Sequence, residues 1–150
     1  MKYIVLDTEA SGLQVNLAEL YTIGAFYVET DNDGVVDFRT LKAVHRYFNT
    51  EYEVPSDASS VNKLTRKILQ EKSNGDFLED CYMELKDWLY RPDVTLVGYN
   101  VLFDYNIIVN NFMKLGLEKP QWKGTLDVMK EQRVLLKGTG FDKFNRIKLI

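Results

Sequence analysis

The chain has 150 residues, 45% hydrophobic, 27% charged and 13% aromatic, a balance that excludes a disordered chain, a collagen-like fibre and a coiled coil. One cysteine, Cys81, and one histidine, His45, exclude a disulfide framework, a Cys-rich zinc site and a multi-histidine metal site. A net charge of −3 argues against coating of nucleic acid by a broad basic surface, although from Lys123 onward basic residues outnumber acidic ones, which offers either a solvated surface or a phosphate-facing edge.

The length suits one domain that buries roughly 70% of its unfolded surface. The first apolar run, residues 3–6, stops at Asp7. It is too short for a signal-peptide core, and no stretch approaches the length of a membrane span. A cytoplasmic location with no membrane partner is the expectation.

Residues 3–6 read as a buried strand that ends in an acidic, Gly-containing turn, Asp7 to Gly12. Residues 20–29 form a second strand, Asp31-Asn32-Asp33-Gly34 a hairpin turn, and a third strand follows within 35–48. Past Pro55 the polar Ser56–Ser60 connection leads to a short helix over 61–71, with Leu64, Ile68 and Leu69 inward. A second helix over 77–90 carries Phe77, Cys81, Leu85, Trp88 and Leu89 at helical spacing and ends at Pro92-Asp93. Val94–Val97 is a buried strand. Gly98-Tyr99-Asn100 turns into a helix over 102–115, with Phe103, Ile107, Ile108 and Met113 inward and Gly116 after its end. Residues 121–126 offer a fifth strand and 126–136 a further helix. Three antiparallel strands followed by βαβ units predict an α/β fold with a mixed five-stranded sheet flanked by helices. There are no internal repeats or linkers, so residues 1–150 read as one domain.

Two segments carry candidate chemistry. In Asp7-Thr8-Glu9-Ala10-Ser11-Gly12-Leu13, strand residues two apart share a face, so Asp7 and Glu9 can converge. Like charges held close favour a cation or a proton between them, and Mg²⁺ or Mn²⁺, which take oxygen ligands, would serve. The bland alternative is an exposed acidic turn. In Gly98-Tyr99-Asn100-Val101-Leu102-Phe103-Asp104, Asp104 falls in the first turn of a helix, where the helix dipole alone favours an acid. The same position is also the C-terminal edge of a strand, where ligands gather in α/β proteins.

Together these segments resemble the DnaQ-like, or DEDD, 3′–5′ exonuclease family of the ribonuclease H-like fold. Asp7, Glu9, Gly12 and Leu13 match its D-x-E-x-x-G-L motif, and Gly98, Asn100, Phe103 and Asp104 match G-H-N-x-x-F-D, with Tyr99 in place of the usual His. The likeness covers nearly the whole chain. It implies two-metal phosphodiester hydrolysis with Asp7, Glu9 and Asp104 as catalytic carboxylates and ligands of Mg²⁺ or Mn²⁺. It also implies substrate contacts from Thr8, Ala10, Ser11, Gly12, Leu13, Tyr99, Asn100 and Phe103. The implied partner is a single-stranded nucleic acid or a 3′ end, DNA ahead of RNA, in replication, repair or RNA maturation.

One departure stands out. The family pattern has a fourth carboxylate, with His or Tyr five residues before it, on a last helix. No such pair follows Asp104. Asp127 is placed on the fifth strand and His45 on the third, where it reads as an ordinary strand residue. The sequence therefore leads to the expectation of a domain short of its last helix and a poor nuclease, with three explanations open: a fragment of a longer enzyme, a naturally short chain kept for binding, or a chain that takes the missing carboxylate from a partner chain or a nearby residue such as Asp142. The bare edge also offers a surface to a partner chain or a second copy. The competing reading is a catalytically depleted nucleic-acid- or protein-binding module on the same fold.

Overall fold

The computed structural model describes residues 1–131. Its elements run β1 (Lys2–Ala10), β2 (Leu20–Thr30), β3 (Val36–Tyr47), α1 (Ser56–Asn62), α2 (Arg66–Lys72), α3 (Leu78–Leu89), β4 (Tyr90–Gly98), α4 (Val101–Lys114) and β5 (Gln121–Asp127). Strand order is β3-β2-β1-β4-β5. β1 and β2 pair antiparallel, as do β2 and β3, while β4 runs parallel to both β1 and β5. This is the mixed α/β sheet expected from the element order.

Period-two alternation gives the sheet two unlike faces. Ile4, Leu6, Ile23, Ala25, Tyr27, Val44, Val94 and Leu96 point to one face and are buried. They pack against Leu78, Cys81, Leu85 and Leu89 of α3 and against Val101, Ile107, Ile108 and Phe112 of α4. Those helical positions recur at three and four residues, so each helix turns a single apolar stripe to the sheet. The opposite face is open among the described residues. Across it, pairing lines up Ala43, Phe26, Val5, Val97 and Leu126, one from each strand. Phe26 is 52% exposed, Leu126 40% and Val5 37%.

The β2–β3 turn forms as the sequence predicts. The Asp31 carboxylate accepts from the N–H groups of Asp33 and Val35, and Gly34 takes the left-handed conformation, φ +83°, that glycine enters without steric cost.

Five local expectations are corrected. The turn expected from Asp7 to Gly12 starts later, because Asp7–Ala10 extend β1 and pair with β2 between Gly24 and Leu20. The helix expected over 61–71 is two helices, because Lys63 adopts a left-handed cap (φ 62°, ψ 16°) that ends α1. Thr65 then restarts the chain, its hydroxyl accepting from the Ile68 N–H at 3.2 Å. Leu64 is buried from the connection between them, packed with Tyr21 and Leu69. The strand expected at 94–97 begins at Tyr90. Pro92 sits inside it where the β4–β5 register is irregular, between Arg91 and Thr95, a position that tolerates proline's missing N–H. Phe77 caps α3 rather than lying in its stripe: its N–H donates to the Asp80 carboxylate at 2.8 Å, and Leu78 takes the buried place. Met113 points outward, 58% exposed, since the inward stripe of α4 continues from Ile108 to Phe112. Of the helix expected over 126–136, all beyond Glu131 lies outside the described residues, as do Arg133, Lys137, Asp142, Lys143, Arg146 and Lys148.

Candidate active site

β1 carries its buried stripe of Ile4, Leu6 and Thr8 toward the helices, so Asp7 and Glu9 emerge on the open face at the strand's C-terminal end. Burial raises the pKa of both carboxyls, and the neighbouring Asp7 charge raises Glu9 further. Asp104 arrives from the opposite direction, in the first turn of α4. It belongs to the helix's inward stripe and is 4% exposed. Its Oδ1 accepts from the Thr8 N–H at 3.1 Å and from the Thr8 hydroxyl at 2.5 Å. Loss of water and, to a smaller degree, the Asp7 charge push its pKa up to about 7 against the Thr8 bonds, which lower it.

The three carboxyls are thus electrostatic neighbours, with Asp7 acting on both others. They fit a hard divalent cation in donor type, being all oxygen, and in charge, since each is held in a setting that penalises its ionised form. They are not drawn up as a finished ligand set: among the described residues no three His, Cys, Asp or Glu side chains are assembled to hold a metal ion. Asp104 is instead turned to Thr8.

The remaining residues picked out by sequence surround this edge. Thr8 is buried and spends both polar groups on Asp104, so it faces inward and supports a carboxylate. The Ala10 carbonyl accepts from the Asn62 side chain at 3.4 Å, which ties α1 to the end of β1. Ser11 closes the loop after β1. Its N–H donates to the Glu19 carbonyl, and its hydroxyl accepts from the Glu19 N–H at 2.8 Å. Gly12 has nothing within 4 Å of where a Cβ would stand, and Leu13 is 87% exposed. Tyr99 lines a groove of about 760 Å³ on the open face, together with Asp7, Glu9, Gly24, Phe26 and His45. Asn100 takes the left-handed conformation (φ 57°, ψ 49°) at the α4 N-cap, and Phe103 packs against the core.

A family profile described as Exonuclease (RNase_T) matches residues 4–147. The chain belongs to this exonuclease family. Among curated proteins, the 3′-5′ exonuclease DinG of Staphylococcus aureus strain MRSA252 is 25% identical over 131 residues, covering 85% of this chain and 13% of DinG. Among solved structures, E. coli exonuclease I in complex with a dT13 oligonucleotide aligns over 89% of this chain and 29% of its own, with a TM-score of 0.70 and 17% identity. A zinc-ion-bound complex of E. coli exonuclease I with single-stranded DNA gives a TM-score of 0.72 at 18% identity, over 89% and 29% of the two chains. The chain thus spans about an eighth of the curated relative and under a third of the structural ones. Its fold is the DnaQ-like, ribonuclease H-like fold.

Two residues at this edge carry more than their sequence position suggests. Asp127, at the end of β5, is 8% exposed, and its Oδ1 accepts from the Asn100 N–H at 2.9 Å and the Met129 N–H at 3.0 Å. It therefore holds the left-handed turn that launches α4 toward Asp104. Gly98 is packed so closely that a Cβ there would stand 3.1 Å from the Leu6 carbonyl oxygen and from Val101, so a side chain would require β1 or α4 to give by a few tenths of an ångström. The legible signal for Gly98 is its place between a buried strand and a helix start. Asp127 gives no local signal, because its partner lies 27 residues away.

Proposed function

We propose that this chain is a 3′–5′ exonuclease domain that hydrolyses the terminal phosphodiester of single-stranded nucleic acid, DNA ahead of RNA. The observation that supports this reading is that Asp7 and Glu9, at the end of β1, and Asp104, at the start of α4, lie close enough for the Asp7 charge to act on both others, in a chain of the exonuclease family. Asp7, Glu9 and Asp104 would hold Mg²⁺ or Mn²⁺, which when bound offset the phosphate charge and make a nearby water more acidic.

The chain's own residues do the rest. Leu13, free of packing, offers an apolar surface to a terminal base. The open backbone around Gly12 lets a nucleotide approach closely, and Tyr99 offers an aromatic ring at the groove's rim. In the reaction a water oxygen bonds to phosphorus and the P–O3′ bond breaks. A 5′-mononucleotide leaves, and the shortened strand keeps a 3′-hydroxyl.

A second reading, a nucleic-acid- or protein-binding module with depleted catalysis, draws on one observation: Asp104 is committed to Thr8, and its raised pKa leaves much of it protonated at neutral pH. Incubation with 3′-labelled single-stranded DNA and Mn²⁺ separates the two. The exonuclease reading expects mononucleotide release that Asp7→Ala abolishes. Binding of the same oligonucleotide without release, unchanged in Asp7→Ala, would establish the second.

A further inference from the structure

The groove beside Asp7 also contains the chain's single histidine. Pairing places His45 opposite Gly24 and Gly24 opposite Asp7, so the three form one row across β3, β2 and β1 on the open face. Two strand spacings separate the Cα atoms of His45 and Asp7 by about 10 Å. The middle position of the row has no side chain. The imidazole borders that gap: its Cδ2, the carbon bonded to Nε2, lies 3.7 Å from where a Gly24 Cβ would stand, and the Asp7 carbonyl oxygen lies 3.9 Å from the same point. The Tyr47 ring packs against the imidazole at 4.8 Å between centroids. The other titratable groups on this groove are Asp7, Glu9 and Tyr99; no basic side chain lines it among the described residues. His45 is exposed and shows no side-chain hydrogen bond among the described residues, so nothing there commits either ring nitrogen.

We propose that His45 is a catalytic residue of the hydrolytic site, taking the proton of the attacking water from β3 across the side-chain-free Gly24. The proposal rests on the exonuclease reading above. As the water oxygen bonds to phosphorus, its proton passes to Nε2. The P–O3′ bonding pair stays on the 3′ oxygen, which takes a proton from solvent, and the imidazolium returns its proton to solvent. One water is consumed and no other reactant is needed. A positioned imidazole is well suited to this step because it accepts and releases protons near neutral pH.

The test uses the untagged chain, so that His45 gives the only imidazole signals. Because the residue is exposed, His45→Gln should fold. With Mn²⁺ and labelled single-stranded DNA, H45Q is expected to lower kcat about 10²- to 10⁴-fold and leave KM within about twofold. Added imidazole should restore part of the rate. Independently of turnover, Mn²⁺ should broaden the His45 ring protons in the NMR spectrum of the wild type, and much less so in Asp7→Asn. An H45Q enzyme within about twofold of wild type, while Asp7→Asn is inactive, would overturn the role of His45 and leave the exonuclease reading standing. Ring protons untouched by saturating Mn²⁺ would overturn it equally. A wild-type chain that neither cleaves nor binds Mn²⁺ would overturn both.

Discussion

Asp104 occupies an inward position of α4, where its carboxylate is stripped of water and is hydrogen-bonded by Thr8. Its pKa rises from 3.8 to about 7. Because the folded chain keeps this proton to higher pH than the unfolded chain, folding takes up a proton between those values. The group's contribution to stability is therefore greatest below about pH 4, declines as the pH rises toward 7, and is flat above. The full shift corresponds to about 4 kcal/mol as an upper bound. Asp104→Asn removes the titration and keeps an oxygen to accept from Thr8. In chelator, D104N should be more stable than wild type by about 1–3 kcal/mol at pH 8, and the gain should shrink toward pH 4. Urea unfolding across that range checks this; an equal difference at every pH would show that Asp104 does not titrate there. Asp7 and Glu9, also raised by burial, shift the wild-type curve in the same direction. The candidate carboxylates were legible because strand period and helix start place them at one edge. What the sequence did not show was the bond from Thr8 to Asp104: it depends on a partner 96 residues away, and a threonine in a D-T-E run reads equally well as a substrate contact.

At the scale of elements, the site is assembled by two junctions, the end of β1 and the β4–α4 turn. The second depends on Asp127. Asn100 holds a positive φ, a conformation that asparagine tolerates better than most residues, and its N–H needs an acceptor because the helix supplies none at that end. Asp127→Ala leaves the Asn100 and Met129 N–H groups without that partner and should cost about 1–2 kcal/mol. Asp127→Asn, which keeps an oxygen acceptor, should recover most of this. Denaturant melts of the two variants measure it, and amide exchange at Asn100 should quicken in D127A alone. Equal losses in both would place the effect in the charge rather than in the acceptor. The strands and the main helices were legible from period and turn residues, since burial on one face imposes the pattern. The split of α1 from α2 was not. A lysine at the left-handed cap gives none of the warning that glycine would, and the apolar residues on either side still fit a helical spacing. Pro92 misled in the opposite sense, because it terminates helices and also sits comfortably at a strand irregularity.

For the whole molecule, the decisive asymmetry is between the two faces of the sheet. Ile23 and Phe26 lie three residues apart on β2, on opposite sides. Ile23 is fully buried under the helices, whereas Phe26 is 52% exposed on the open face. Truncating a buried isoleucine to alanine costs about 2–5 kcal/mol, through lost transfer energy and the cavity left behind. A half-exposed phenylalanine with no layer above it among the described residues has little cavity to leave, so Phe26→Ala should cost about 1 kcal/mol or less. The pair of melts reports what the face meets in solution. If F26A loses nearly as much as I23A, the row from Ala43 to Leu126 is covered. A loss that grows with protein concentration in the wild-type reference then identifies the cover as a second copy, and a loss independent of concentration identifies it as the chain itself. The distinction bears on chemistry as well as stability, because Asp7, Glu9 and His45 stand on that same face, and whatever covers the apolar row sets how much water reaches them.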